Sequence, residues 1–158
     1  MEILTGNFSE TQQLGQSLGA LLQPGDVLLV SGDLGAGKTT FIQGLAAGMG
    51  VQAQVTSPTF TIIHEYQGSS FPLYHIDAYR LERADEINEL GLEEYFYGDG
   101  VTAVEWAEKI KEWLPPDYLY VKIEKMSSHP EQRRIQIGER GSGSYAGLIE
   151  ELKQICRS

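Results

Sequence analysis

Apolar positions along the chain change their period several times, and each change predicts an element. Leu14, Leu18, Leu21 and Leu22 recur at helical spacing, and Pro24-Gly25-Asp26 closes that helix with a turn. Ahead of it, Ser9-Glu10-Thr11-Gln12 reads as a capping box, with Ser9 as N-cap and Gln12 reaching back. The continuous run Val27-Leu28-Leu29-Val30 predicts a buried strand, after which Phe41, Ile42, Leu45, Ala46 and Met49 return to helical spacing. Thr56-Ser57-Pro58-Thr59 is a loop, and residues 60–66 and 71–77 predict a hairpin across Gln67-Gly68-Ser69-Ser70. Residues 82–90 are charged and helix-prone up to Gly91, and the turn Asp99-Gly100 leads into a strand over 101–104. Pro115-Pro116 ends a short helix over 109–113. Leu119, Val121 and Ile123 alternate as a half-buried strand, and residues 134–137 alternate likewise and pair with it across a loop at 126–131. Residues 138–143 read as a flexible link before the amphipathic helix of Tyr145, Leu148, Ile149, Leu152 and Ile155.

The junction of the first strand with the second helix carries the chemistry. It reads Gly32-Asp33-Leu34-Gly35-Ala36-Gly37-Lys38-Thr39-Thr40, the pattern G-x-x-x-x-G-K-T in the strand–loop–helix setting that a phosphate-binding loop requires. Unpaired N–H groups at a helix N-terminus point outward, and the helix dipole favours an anion there. Glycines let those N–H groups turn inward and let phosphate oxygens approach. Lys38 is placed to reach the β- and γ-phosphates, and the Thr39 hydroxyl to sit on Mg²⁺. A nucleoside triphosphate is the ligand this segment predicts. The expected fold is α/β: one P-loop NTPase-like three-layer domain over residues 1–158, with a mixed sheet flanked by helices. Its strands are parallel near the loop and form antiparallel hairpins later.

Binding a triphosphate is not hydrolysing it, which needs a second acid for Mg²⁺ and a group that orients water. Asp77 and Glu105 both end predicted strands, and in open α/β sheets strand carboxyl ends face the ligand crevice. Either acid can hold the magnesium hydration shell while the other polarises the water, and each also suits a simple cap of the next turn. His75, a lone histidine on the same strand as Asp77, reads as a packed or surface residue. Ser57 and Thr59 lie where a γ-phosphate-sensing segment would be, or simply form a turn around Pro58. Arg133 and Arg134 either reach the nucleotide or salt the strand surface. Phe8 is a hydrophobic staple or an adenine-stacking ring, and Trp106 is core or interface. The nucleotide-binding set is thus Asp33, Leu34, Gly35, Ala36, Gly37, Lys38, Thr39 and Thr40, with Phe8, Arg133 and Arg134 as further candidates.

Composition narrows the classes. A net charge of −10, from 22 acids and 12 bases, would repel a phosphate backbone, so autonomous binding of DNA or RNA is disfavoured; the acidic surface either serves solubility alone or docks on a basic protein partner, and charge does not separate the two. No apolar run approaches the ~20 residues of a membrane span. The first Lys or Arg is Lys38, which argues against a secretory signal. Cys156 is the one cysteine, which excludes an internal disulfide and a cysteine-rich zinc site and fits a cytoplasmic location. No N-K-x-D guanine-reading sequence occurs, so a GTPase of the usual kind is not expected.

Taken with Ser57-Pro58-Thr59-Phe60, Tyr74-His75-Ile76-Asp77-Ala78-Tyr79-Arg80-Leu81 and Val104-Glu105-Trp106, the glycine-rich block resembles the bacterial TsaE (YjeE) family over nearly the whole chain. The family's Glu-Trp-Pro block reads Glu105-Trp106-Ala107 here, which keeps the acid and bears only on the local turn. The resemblance implies an ATPase, acting with ATP and Mg²⁺, that serves tRNA modification. The family acts with TsaB, TsaC and TsaD, of which TsaC makes threonylcarbamoyl-adenylate and TsaD transfers the group to the adenosine following the anticodon. The ATPase binds the TsaB–TsaD complex and resets it by hydrolysis, meeting tRNA only indirectly. Carried over by motif, Lys38 and Thr39 handle phosphates and Mg²⁺, Glu105 holds Mg²⁺, and Asp77 supports catalysis. The competing readings are a small-molecule kinase, with Arg80, Arg83, Arg133, Arg134 and Arg140 as material for a basic lid, and a nucleotide sensor that binds without hydrolysing.

Overall fold

A computed structural model describes residues 1–33, 35–55, 63–79 and 81–157. Among the described residues seven strands form one sheet: β1 (Glu2–Thr5), β2 (Val27–Gly32), β3 (Ile63–Gln67), β4 (Pro72–Asp77), β5 (Val101–Glu105), β6 (Tyr118–Met126) and β7 (His129–Arg140). The helices are α1 (Phe8–Gly19), α2 (Lys38–Gly48), α3 (Ala84–Glu89), α4 (Leu92–Phe96) and α5 (Ala146–Arg157), with a 3₁₀ segment Ala107–Trp113 kinked at Ile110. The strand order is β1-β7-β6-β2-β5-β4-β3. Strands β6, β2, β5 and β4 run parallel, while β1/β7, β7/β6 and β4/β3 are antiparallel pairs. The mixed sheet with a parallel centre therefore stands as expected.

The centre is parallel because its strands are apolar on both faces; every residue of β5 is buried. On one face Leu28, Val30, Leu73 and Ala103 pack with Leu14, Leu18, Phe41, Leu45 and Leu152 from α1, α2 and α5. On the other, Val27, Ile76 and Val104 pack with Ile87, Leu92, Phe96 and Ile110. Helices α1 and α2 touch backbone to backbone through reciprocal glycines. A Cβ on Gly15 or Gly19 would stand 2.3 or 2.1 Å from the carbonyl oxygens of Phe41 and Leu45. A Cβ on Gly44 or Gly48 would stand 2.0 or 2.1 Å from those of Gln12 and Gln16. The i, i+4 spacing in both helices lines these glycines into two facing grooves. Helix α2, which begins at the glycine-rich loop, is thereby fixed against α1.

Three local expectations change. The N-cap of α1 is Asn7, not Ser9: its extended backbone lets Oδ1 accept from the Glu10 amide at 2.9 Å, and Glu10 reaches back to the Gly6 amide. Phe8 is consequently the first helical residue and is not placed as a staple. Residues 138–140 are not a link but the end of β7, where Gly138 faces Tyr120 so closely that a Cβ would lie 2.4 Å from the phenol Cζ. Two further elements, β1 and α4, carry too short a pattern to be read from periodicity. The predicted loop at 56–59 and the first residues of the hairpin, 60–62, lie outside the described residues, as does Arg80. Among the described residues no helix is long and apolar enough to cross a membrane.

Candidate functional site

Strands β2, β5 and β4 lie side by side and parallel, so their carboxyl ends form one edge. Val30 pairs in register with Glu105, and Glu105 with Asp77. The glycine-rich loop leaves that same edge after Gly32. A Cβ at Gly32 would meet the Ile123 carbonyl oxygen at 2.6 Å, so only glycine lets the chain turn beside β6. Gly37 has φ 108° and ψ 20°, a left-handed conformation that hands the chain into α2 at Lys38. The first turn of α2 contains no acidic side chain, and no side chain caps its start. A helix N-terminus with its dipole unanswered by the protein is suited to an anion. Within the loop Asp33 and Gly35 are exposed, Ala36 is buried, Gly37, Thr39 and Thr40 are half-buried, and Leu34 lies outside the described residues.

Lys38 is 8% exposed. Its ammonium donates to the Gly32 carbonyl at 2.7 Å and stands 4.4 Å from the centroid of the Trp106 ring. One carbonyl and one π-face leave donors of the ammonium for a further ligand. Trp106 itself has φ 59° and ψ 44°, the one non-glycine residue with positive φ among those described. Holding an aromatic residue there costs about 1–3 kcal/mol, and such strain gathers at functional sites. With Ala at 107, Trp106 escapes the restriction that a following proline imposes. Its ring lies against Lys38 on one side and 4.9 Å from Tyr79 on another. Trp106 is thus part of the site rather than of the core alone.

Asp77 and Glu105 stand on the sheet face covered by α2, with His75 two residues before Asp77 on that face. Glu105 is buried and hydrogen-bonded to the wholly buried His75, Nε2 to Oε2 at 2.7 Å. Asp77 is half-buried and accepts from the Tyr79 amide at 3.0 Å. Burial is the largest cause that raises the Asp77 pKa above its ordinary 3.8, and the Glu105 charge adds to it. The Tyr79 amide, His75 and Lys38 act the other way. Among the described residues no group of three or more His, Cys, Asp or Glu forms a metal cage. A magnesium ion that arrives with a nucleotide needs none, since it takes phosphates, waters and one or two protein oxygens. A threonine hydroxyl at the helix start and one of the two carboxylates on the neighbouring strand ends fit that pattern.

Arg133 and Arg134 point to opposite faces of β7. Arg133 is 3% exposed and braces the loop: Nε donates to the Ala36 carbonyl at 2.6 Å, and Nη1 to the carbonyls of Pro130 and Gln132, both at 2.8 Å. Its guanidinium lies 5.3 Å from the Phe8 ring centroid, so Phe8 stands at the loop, half exposed, behind Arg133. Arg134 is on the other face, 3.5 Å from Glu2. Arg83 pairs with Asp85 and Arg140 lies over Tyr120, so these arginines do not gather over the loop as a basic lid. Two contributors were missed by sequence reasoning. Lys125 reaches the loop, its Nζ 3.3 Å from where a Cβ on Gly35 would stand. His75 is the other, and only the β4/β5 register, which the sequence does not carry, puts it beside Glu105.

The arrangement can be set beside known proteins. The family model described as "Threonylcarbamoyl adenosine biosynthesis protein TsaE" matches residues 5–135. The tRNA threonylcarbamoyladenosine biosynthesis protein TsaE of Bacillus subtilis (strain 168) is 47% identical over 150 residues, 95% of this chain and 92% of that protein. The protein so named from Synechocystis sp. is 45% identical over 114 residues, 70% of this chain and 72% of its own. Among solved structures, the crystal structure of B. subtilis YdiB superposes with a TM-score of 0.80 at 41% identity, covering 98% of this chain and 94% of that one. Its blocks around Lys38, Asp77 and Glu105, the sheet that brings them to one edge and this likeness over almost the full length agree: the chain belongs to the TsaE family.

Proposed function

We propose that this chain is a Mg²⁺-dependent ATPase of tRNA threonylcarbamoyladenosine formation that binds the TsaB–TsaD transferase and resets it by hydrolysing ATP. The observation that carries the reading is the sheet edge itself. An uncapped α2 N-terminus with Lys38 at its first residue lies beside two strand-end carboxylates, Asp77 and Glu105. The loop amides and Lys38 bind the phosphates, and the Thr39 hydroxyl and Glu105 hold the metal. Bound Mg²⁺ neutralises charge on the β- and γ-phosphates. Asp77, whose pKa is raised mainly by burial, is suited to polarise the attacking water and accept its proton. Glu105 is buried and held by His75, which suits a fixed ligand position.

The net charge of −10 fits a cytoplasmic subunit that meets proteins and reaches tRNA only through them. Arg83, Arg133, Arg134 and Arg140 are engaged by Asp85, the Ala36 carbonyl, Glu2 and Tyr120, which supports a slow turnover that a partner raises by supplying transition-state charge. The test is steady-state ATP hydrolysis with and without Mg²⁺, alone and with purified TsaB–TsaD, with Lys38→Ala as the blank. Stimulation by the pair that the blank lacks is the expected result. Neither stimulation nor physical association would overturn the reading, and an ATP-dependent phosphorylated metabolite would replace it with a kinase.

A further inference from the structure

The geometry points to His75 as the positioning residue of the hydrolytic site, one that acts through Glu105; this rests on the ATPase reading above. His75 is 0% exposed and Glu105 4% exposed, yet the two polar side chains are brought together on strands that are otherwise apolar there. Nε2 of His75 lies 2.7 Å from Oε2 of Glu105. Nδ1 of His75 is buried and, among the described residues, without a hydrogen-bond partner. That asymmetry assigns the proton. A proton on Nδ1 would be buried with no acceptor, whereas a proton on Nε2 is shared with a carboxylate oxygen. The Nε2–H tautomer therefore donates to Oε2, and Nδ1 is left as an unpaired acceptor.

Packing alone does not explain this pair. A leucine of similar volume at 75 would fit the apolar surroundings without an orphaned ring nitrogen, as Leu73 does two residues earlier on the same face. What the histidine adds is a fixed carboxylate. With Oε2 held, Glu105 keeps one rotamer, and its other oxygen is the one presented to the metal or its hydration shell. Outer partners of this kind tune ligand position and basicity, and their loss costs about 10–100-fold in metal affinity or activity. The strand-end row Val30, Glu105, Asp77 also explains the placement. His75 is two residues behind Asp77 on the same face, wholly buried, and supports Glu105 from beneath, so its role is to position and not to contact the nucleotide.

The experiment compares wild type, His75→Leu, His75→Gln and His75→Asn in two readouts. One is the Mg²⁺ dependence of binding a non-hydrolysable ATP analogue; the other is kcat and KM for ATP. His75→Leu should raise the half-saturating Mg²⁺ concentration and lower kcat, each by about 10-fold or more, with KM for ATP near wild type. Glutamine places an N–H at the depth of Nε2 and should recover most of the loss, while asparagine, which reaches only as far as Nδ1, should not. In a Glu105→Gln background, His75→Leu should add little, because its partner is already altered. A folded His75→Leu protein with wild-type Mg²⁺ dependence would overturn the proposal. So would equal behaviour of the Gln and Asn variants, which decides the matter if the Leu variant does not fold. A wild-type protein whose analogue binding ignores Mg²⁺ would instead overturn the ATPase reading.

Discussion

Asp77 and Glu105 are register partners on adjacent parallel strands, two carboxylates side by side at the edge where the glycine-rich loop departs. The pair is costly to the fold. Burial raises the Asp77 pKa above 3.8, with Glu105 adding repulsion. Below 3.8 Asp77 is protonated in both folded and unfolded chains and costs nothing. As pH rises towards the higher folded-state value, the unfolded chain ionises first and stability falls; above that value the full cost persists. Asp77→Asn removes it while keeping the acceptor for the Tyr79 amide. The variant should melt higher than wild type at pH 7, with the gain vanishing as pH falls below about 4. Hydrolysis should drop by about 100-fold or more if Asp77 polarises the water. Thermal melts across pH, paired with hydrolysis assays, check both halves.

Arg133 tests whether the loop is held from β7. Its buried guanidinium satisfies three carbonyls, those of Ala36, Pro130 and Gln132. Arg133→Ala leaves the buried Ala36 carbonyl unpaired, while water can reach the other two, and should cost about 1–3 kcal/mol of stability. Lysine should not rescue it, because a single ammonium cannot span the set. Denaturant unfolding together with nucleotide titration separates this brace from a direct nucleotide contact: a brace loses stability and affinity together, a contact loses affinity alone.

The glycine contact between α1 and α2 gives a sharper structural test. Gly44→Ala drives a methyl into the Gln12 carbonyl and should cost about 3 kcal/mol, on the order of 10 °C in melting temperature. Gly147→Ala in α5 meets nothing within 4 Å and should stabilise slightly, by about 0.5–1 kcal/mol. Equal effects of the two would contradict the packing account.

Lys38 lies over Trp106, whereas the other tryptophan, Trp113, donates to Asn88. A ligand that draws the ammonium towards its phosphates changes the surroundings of Trp106 alone. In a Trp113→Phe background, addition of ATP with Mg²⁺ should change tryptophan emission, and Lys38→Ala should abolish the change. Emission that responds identically in both proteins would detach Lys38 from the ligand.

Much of this was legible in the sequence because it is local. The run Val27–Val30, the glycine spacing and the return to helical period at Phe41 define a strand, loop and helix without long-range information. Asp77 and Glu105 were legible as strand ends. What was not legible depends on register and on which face a residue takes. His75 reads as an ordinary lone histidine until β4 is set against β5. Arg133 and Arg134 look equivalent in sequence, but the pleat sends one under the loop and the other to Glu2. The α1 cap moved to Asn7 because an asparagine two residues ahead of the serine already satisfies the Glu10 amide. Residues 138–140 read as a glycine link, yet Gly138 is a strand residue shaped by the Tyr120 ring.

The central claim is that hydrolysis at this site resets a partner. The most direct measurement counts threonylcarbamoyladenosine formed on tRNA per TsaB–TsaD complex, with threonylcarbamoyl-adenylate supplied by TsaC, ATP present, and either wild-type protein or Glu105→Gln added. The account predicts many products per complex with the wild type and about one with the variant, which still binds but does not turn over. Equal multiple turnover with both, or with neither protein added, would contradict it.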